Sequence, residues 1–179
     1  MKYLSFMLLL LSSSAFAGAD DFDSYGKTWS LGIGPYASNI DSDEAFVDDD
    51  EFSGVAITVG YALSDQFLLR GTYFSLEEDT FSEIESTGFD LLAYIGTGVA
   101  THGFKAYVGG GIFKEEIDFG GFSEDFSGLQ LSGGFGYNWD AVSLDLILGV
   151  RDPDDYEDAI GNAFDVAVVS SSLLFSARF

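Results

Sequence analysis

From residue 27 to its last residue, the chain alternates apolar residues with small or polar ones. The alternation is sharpest at 142–150, where valine and leucine at even positions are separated by Ser143, Asp145 and Gly149. A period of two places successive side chains on opposite faces of a β-strand. No apolar run reaches the roughly 18 residues that a membrane-spanning helix needs. The pattern therefore predicts an all-β fold.

Turn-forming or acidic stretches divide the alternating region into eight segments. The predicted strands are 27–38, 55–63, 67–74, 88–97, 104–113, 129–139, 142–151 and 164–179. The connections between them are long and short in turn, which is typical of an antiparallel up-and-down meander. An even number of strands returns the chain to the side from which it started.

The two faces of each predicted strand differ in composition. One face is rich in leucine, valine and phenylalanine, whereas the other carries glycine, serine and a few charged residues. A soluble β-sandwich also has alternating strands, but its outer faces would carry more charge. An apolar outside requires closure, because unpaired backbone groups cannot face lipid. These features favour a closed eight-stranded antiparallel transmembrane β-barrel over a sandwich.

The charge of the chain is high and unevenly placed. There are 30 acidic and 7 basic residues among 179, and the formal net charge is -23, although 47% of the residues are hydrophobic. The long connections 39–51, 77–87, 114–127 and 152–163 hold 22 of the 30 carboxylates. One end of the barrel should therefore be strongly anionic. Nucleic acid is excluded as a partner, because phosphate binding needs clustered lysine and arginine.

The first residues have the features of a secretory signal peptide. Lys2 supplies the positive start, residues 4–11 form an apolar core, and Ala15 and Ala17 flank Phe16 at a small-residue cleavage site. We predict a signal peptide at 1–17, with cleavage after Ala19 as the alternative, and a single barrel domain at 18–179. The chain has no cysteine, so disulfides and thiolate metal sites are excluded.

Aromatic residues test the placement of the barrel in a membrane. Seven of them fall on outward faces near the short turns, where an interfacial girdle is expected: Trp29, Tyr61, Phe67, Phe104, Tyr137, Trp139 and Phe179. Phe52, Tyr73 and Phe89 are predicted to begin the opposite girdle. Asp165 fits this arrangement poorly, because its position in the last strand is outward.

Charged residues on the polar faces should point into the barrel, where they must pair. The predicted inward set is Arg70, Asp90, Lys105, Asp145 and Arg178, with bulky fillers at Tyr36, Phe74, Tyr94, Tyr107 and Phe113. An eight-stranded barrel is about wide enough to be filled by side chains. We therefore interpret the charged set as an internal salt-bridge network that plugs the lumen. A narrow ion channel is the alternative.

An enzymatic function would depend on His102, the one histidine of the chain. A lipid-modifying enzyme with a serine and histidine site would need that site to face the outer leaflet. His102 instead falls in a short turn beside Thr101 and Gly103, without an evident nucleophile. We therefore predict that the protein is not an enzyme and has no cofactor, with a lipid-modifying enzyme as a further alternative.

The acidic loops contain the candidate metal ligands. Asp48, Asp49 and Asp50 in the first loop, and Asp154 and Asp155 in the last, could offer oxygen ligands to a divalent cation. Neither loop has the spacing of an EF-hand calcium site. The alternatives are a solvated anionic surface and weak, shared binding of divalent cations.

The last strand carries the most specific resemblance to a known family. Outward positions back from Phe179 include Phe175, and the stretch 59–67 reads as a strand, a tight turn and a strand. The chain resembles small eight-stranded outer-membrane barrels of the OmpA and OmpX type, without a peptidoglycan-binding domain. The resemblance implies a bacterial outer-membrane location, periplasmic chain ends and extracellular long loops. It also implies partners: membrane lipid, lipopolysaccharide, and the barrel assembly machinery, which would recognise Phe175 and Phe179.

These expectations combine into a functional hypothesis. A lumen filled by side chains leaves the acidic loops as the part of the molecule that meets other molecules. We therefore expect a non-enzymatic outer-membrane barrel that contributes to envelope integrity or to contact with surfaces and cations. A small porin-like channel is the alternative.

Overall fold

A computed structural model describes residues 27–42, 50–78, 84–156 and 166–179. It contains eight antiparallel strands, each paired with its neighbours in sequence, and β1 pairs with β8 to close the barrel. The strands are β1 Trp29–Ser42, β2 Asp50–Ala62, β3 Phe67–Glu78, β4 Glu85–Thr97, β5 Gly103–Asp118, β6 Ser123–Asn138, β7 Val142–Arg151 and β8 Val166–Arg178. The predicted fold class is confirmed.

Burial follows the alternation of the sequence along every strand. In β7, for example, Leu144 and Leu148 are exposed on the outside, whereas Asp145 and Arg151 are buried inside. Strand geometry alone produces this division, because neighbouring side chains point to opposite faces. The core therefore lies inside the barrel and the apolar surface lies outside it. Among the described residues, no helix is long and apolar enough to cross a membrane.

The two ends of the barrel differ. The short connections 63–66, 98–102 and 139–141 lie at one end, which we call the short-turn end, and the opposite end is called the loop end. Trp29 and Phe179 exchange two backbone hydrogen bonds of 3.0 Å at the short-turn end. Predicted signal peptide residues 1–17 lie outside the described residues, so that prediction stays open.

The third connection is much shorter than predicted. Its carboxylates indicated a loop at 114–127, but β5 and β6 remain paired as far as Asp118 and Ser123, and only 119–122 form the turn. Alternation continues through the acidic run, so that Glu115, Ile117 and Phe126 are buried. The prediction was wrong because the carboxylates of a long hairpin, including the inward Glu115, were interpreted as loop residues.

The aromatic girdles are partly as predicted. Six of the seven aromatics assigned to the short-turn end are exposed, and Tyr137 is half-buried. Tyr73 and Phe89 are also exposed, but Phe52 is buried, with 3% of its surface accessible. The prediction for Phe52 was wrong because β2 runs without a bulge from Asp50, which turns its even positions inward. Asp165 lies outside the described residues.

Candidate functional site

The half of the lumen nearer the short turns is filled by a group that we call the Asp145 cluster: Arg70, Lys105, Tyr107 and Asp145. Lys105 Nζ lies 2.8 Å from one carboxylate oxygen of Asp145, and Arg70 Nη2 lies 3.3 Å from the other. The Tyr107 hydroxyl donates to the same carboxylate at 2.5 Å and accepts from Arg70 Nη1 at 2.9 Å. All four side chains are buried, and one carboxylate thus balances two cations in a shared hydrogen-bonded group.

The backbone wall opposite Tyr107 accommodates its ring. Gly134 of β6 faces Tyr107, and a Cβ atom on Gly134 would come within 2.7 Å of the tyrosine ring. A side chain here would push Tyr107 away from Asp145. Glycine at 134 therefore leaves the space that Tyr107 needs to reach Asp145.

The half of the lumen nearer the loop end holds a second group, the Arg151 cluster: Tyr36, Asp90, Glu115, Arg151 and Tyr156. The Arg151 guanidinium pairs with Glu115 and, at 3.1 Å, with Asp90. The Tyr36 hydroxyl accepts from Arg151 at 3.0 Å and donates to Asp90 at 2.9 Å, while Tyr156 donates to Glu115 at 2.9 Å. One cation here balances two carboxylates, which is the reverse of the Asp145 cluster.

Arg151 also lies between two aromatic rings. Its guanidinium carbon is 5.0 Å from the centre of the Phe74 ring and 4.7 Å from that of Phe113. Tyr36 stacks on Phe74 with ring centres 4.8 Å apart, and Tyr156 stacks on Phe126 at 4.4 Å. Planar guanidinium groups stack well on aromatic faces. The result is a continuous layer of planar side chains across the lumen.

Residues 98–101 fold over the mouth of the barrel at the short-turn end. The Asp65 carboxylate accepts hydrogen bonds from three backbone N–H groups of this segment, at 3.0 to 3.2 Å. From the other side, Asn138 Nδ2 donates to three of its carbonyl oxygens. Val99 and Ala100 are consequently buried. The short-turn mouth is closed by backbone that side chains hold in place.

The structure brings together some of the predicted lumen residues and separates others. Arg70, Lys105 and Asp145 share one cluster, whereas Asp90 belongs to the Arg151 cluster. Arg178 lies at the short-turn mouth, where it donates to the carbonyl oxygens of Ala100 and, at 2.7 Å, Trp139. No described carboxylate forms an ion pair with Arg178, so it does not join either cluster.

Sequence reasoning missed three members of the Arg151 cluster. Arg151 lies at an odd position of β7, on the same inward face as Asp145, but the predicted charge network did not include it. Glu115 was assigned to a loop, although its odd position continues the inward face of β5. Tyr156 follows β7 in a short turn at 154–156, and no strand period applies there. The alternation of inward and outward positions could have identified Glu115 as a lumen residue, but only the fold identifies Tyr156 as one.

The candidate metal ligands whose side chains the structure describes, Asp154 and Asp155, do not form a metal site with other described residues. Asp48 and Asp49 lie outside the described residues, and Asp50 begins β2. Asp155 instead accepts hydrogen bonds from the backbone N–H and hydroxyl of Ser127, at 2.8 and 3.2 Å. Within the described ranges, no group of three potential ligands is close enough to hold a metal ion.

His102 lies at the short-turn end, far along the barrel from the loops. Its imidazole is 4.0 Å from the Asp140 carboxylate and packs edge-on against Tyr137. No serine or threonine hydroxyl in the described part of the chain donates a hydrogen bond to it. The arrangement therefore shows no activated nucleophile at His102.

The buried charges cancel. Among the described residues, four cations and four carboxylates are buried: Arg70, Lys105, Arg151, Arg178, Glu78, Asp90, Glu115 and Asp145. The net charge of -23 therefore belongs entirely to residues outside this set. Most of the basic residues of the chain are used inside the barrel, which leaves the remainder strongly anionic.

Comparison with known proteins identifies the architecture. A model of the outer membrane protein β-barrel domain matches residues 4–156. The chain belongs to this family. No curated protein sequence matches it. Membership of the family makes the protein a β-barrel of the bacterial outer membrane.

Solved structures of the same architecture come from several bacteria. Ail, the attachment invasion locus protein of Yersinia pestis, is 18% identical, with a TM-score of 0.57 over 86% of this chain and 99% of that one. Neisserial surface protein A is 15% identical, with a TM-score of 0.57 over 84% and 97%. The N-terminal barrel of Pseudomonas aeruginosa OprF is 16% identical, with a TM-score of 0.52 over the same shares. At these identities, the likeness concerns the fold.

Proposed function

We propose that this family member is a non-enzymatic surface barrel with a closed lumen, which contributes to envelope integrity by binding cations at its acidic loop end. One observation carries the proposal: the interior is neutral and filled, while the uncompensated negative charge lies elsewhere. A filled interior without net charge has neither the space nor the charge to bind a solute. The anionic exterior is the chemically distinctive part of the molecule.

The space left inside the barrel supports a closed lumen. Between the Asp145 cluster and the Arg151 cluster lies a cavity of about 10 Å³, bordered by Tyr36, Arg70, Asp90 and Gln130. Such a volume is roughly what a single water molecule needs. An ion path would require both clusters and the segment 98–101 to move. No feature of the described lumen favours the channel alternative.

The closed lumen predicts electrical silence. The reconstituted wild-type protein should show no steady conductance in a planar lipid bilayer, because each cluster blocks the path with paired charges. A general porin measured in the same bilayers provides the positive control. Steady current with an ion selectivity that changes in Lys105→Met would contradict the closed lumen and favour a channel.

The proposed orientation places the short turns and both described chain ends in the periplasm and the loop end outside the cell. Support comes from the distribution of charge and aromatic residues, since exposed aromatics belong at membrane interfaces. Phe175 in β8 and Phe179 directly after it are exposed on the outside of the barrel, where assembly machinery could contact them. We propose them as the assembly signal.

The loop end is acidic in the described residues as well. Exposed carboxylates there include Glu116, Asp118, Glu124 and Asp125, and Lys114 pairs with Asp125 at 3.1 Å. Carboxylates beside the phosphates of lipopolysaccharide would repel them unless cations lie between. Ail has been solved with the heparin analogue sucrose octasulfate. The acidic loop end of this protein would repel a polysulfate. We therefore propose that it binds divalent cations instead.

The proposal predicts a specific effect of divalent cations. Millimolar Ca²⁺ or Mg²⁺ should slow proteolysis of the loops in reconstituted protein more than sodium chloride of equal ionic strength, because divalent ions bridge carboxylates that monovalent salt only screens. The measurement is the rate of cleavage by an added protease. If protection from proteolysis depends on ionic strength alone, the proposed cation-binding function is wrong.

Two triple variants locate the effect. One neutralises Asp48, Asp49 and Asp50, and the matched control neutralises Asp118, Glu124 and Asp125 on the β5–β6 hairpin. A defined site in the first loop predicts loss of protection in the first variant alone. Shared binding over the whole acidic surface predicts a similar, partial loss in both.

A further inference from the structure

A groove lies on the outside of the barrel at its short-turn end, beside the turn between β6 and β7. It has a volume of about 510 Å³ and is lined by His102, Trp139, Asp140, Ala141, Val142 and Phe175. The groove is shallow and open along most of its length. A lipid bound there would therefore contact it along one side only.

The walls of the groove combine two chemistries. Trp139 and Phe175 are exposed on the apolar outer face of the barrel, which continues along β8. At the rim, the Asp140 side chain is 97% exposed, and His102 Nε2 lies 4.0 Å from its carboxylate. A molecule in the groove would meet an apolar wall on one side and a carboxylate with an imidazole on the other.

The turn that forms the groove is held firmly. Trp139 N donates to the Val142 carbonyl at 2.9 Å, and Arg178 N donates to the Ala141 carbonyl at 2.8 Å. From inside the barrel, Arg178 Nη1 donates to the Trp139 carbonyl at 2.7 Å. The Trp139 ring packs on Tyr137, with ring centres 4.8 Å apart. A preformed groove loses little conformational entropy when a ligand binds.

We propose that this groove binds one phospholipid whose headgroup carries a primary amine, as in phosphatidylethanolamine. The ammonium group would lie between the Asp140 carboxylate and the Trp139 ring, since cations are attracted to both. The His102 imidazole N–H would donate to the phosphate, and the acyl chains would follow Phe175 and Val142. This site is separate from the acidic loop end, and the inference does not depend on the proposed cation-binding function.

The same chemistry disfavours two other headgroups. A choline headgroup has no N–H to donate to Asp140, and its methyl groups keep the positive charge farther from the carboxylate. A glycerol headgroup leaves the lipid with net negative charge, which Asp140 repels. The groove should therefore prefer the amine over either alternative.

The two tryptophans of the chain permit a direct test. In Trp29→Phe, Trp139 is the single tryptophan, and brominated lipids quench its fluorescence when they occupy the groove. The variant is reconstituted in vesicles that mix unlabelled phosphatidylcholine with brominated-chain phosphatidylethanolamine, phosphatidylcholine or phosphatidylglycerol. We expect the ethanolamine lipid to bind beside Trp139 roughly threefold more tightly than the choline lipid, the size of effect that a partly exposed ion pair produces.

Two further variants complete the test. Asp140→Asn, in the Trp29→Phe background, should abolish the preference and leave the barrel folded, because Asp140 is exposed. Trp139→Phe, which retains Trp29 at another point of the same end, should report no headgroup preference. Equal quenching by the three lipids at Trp139, a preference that survives Asp140→Asn, or the same preference at Trp29 would each overturn the proposal.

Discussion

Replacing Arg151 with methionine should lower the free energy of unfolding by about 3–5 kcal/mol, because the change leaves buried charges without a partner. Arg151 is the one cation of its cluster, and both Asp90 and Glu115 depend on it. Methionine replaces the aliphatic part of the arginine side chain, so the loss would come mainly from the missing guanidinium group. Urea unfolding of the protein in lipid vesicles, followed by tryptophan fluorescence, measures the difference.

Two controls separate the charge of Arg151 from its shape. Arg151→Lys keeps the charge but cannot stack flat between Phe74 and Phe113, so its loss should be intermediate. The triple variant with Arg151→Met, Asp90→Asn and Glu115→Gln removes all three charges. It should be more stable than Arg151→Met alone, because neutral groups cost less to bury than unpaired ions. A triple variant as unstable as the single one would contradict the electrostatic account.

A second large effect is expected at Asp145. Asp145→Asn should also lower the free energy of unfolding by about 3–5 kcal/mol, because Arg70 and Lys105 would then be two buried cations without a counter-charge. Asparagine preserves the volume and can still accept a hydrogen bond. Urea unfolding in vesicles again provides the measurement.

Lys105→Met is the matched control for Asp145. It removes one cation but leaves the ion pair between Arg70 and Asp145, so the loss should be smaller than in Asp145→Asn. Combining the two substitutions leaves Arg70 as the only ion of the cluster, and the pair should lose less stability than the sum of the single changes. Additive losses would show that the three side chains do not act as one unit.

The alternation of residues was sufficient to predict the barrel. The alternating segments predicted the number and order of the strands, and the structure confirms both. The alternation also predicted the direction of most side chains, as β5 and β7 show. Strand ends were harder to predict, as Glu115 shows. A carboxylate in an acidic run has the same local appearance whether it faces water or a guanidinium, and Arg151 lies 36 residues away along the chain.

The alternation of inward and outward positions could not predict which charged side chains pair inside the lumen. It places five of them inside: Arg70, Asp90, Lys105, Asp145 and Arg178. Their heights along the barrel depend on how far each strand is staggered against the next. That stagger separates Asp90 from Asp145 and brings Arg178 to the mouth. The sequence predicts which residues face the lumen, whereas the register of all eight strands determines which of these residues contact each other.

The hydrogen bonds between Trp29 and Phe179 have a consequence for how the barrel is connected. Each strand pairs with the two next to it, and β1 pairs with β8 in an antiparallel ladder that is interrupted at Gly34 and Pro35, whereas the other seven ladders are continuous. The junction nevertheless closes the barrel. Strand order is circular, and the point at which the covalent chain is open is independent of the packing inside. A circular permutant that joins the two ends and opens the turn at 119–122 would preserve every strand pair.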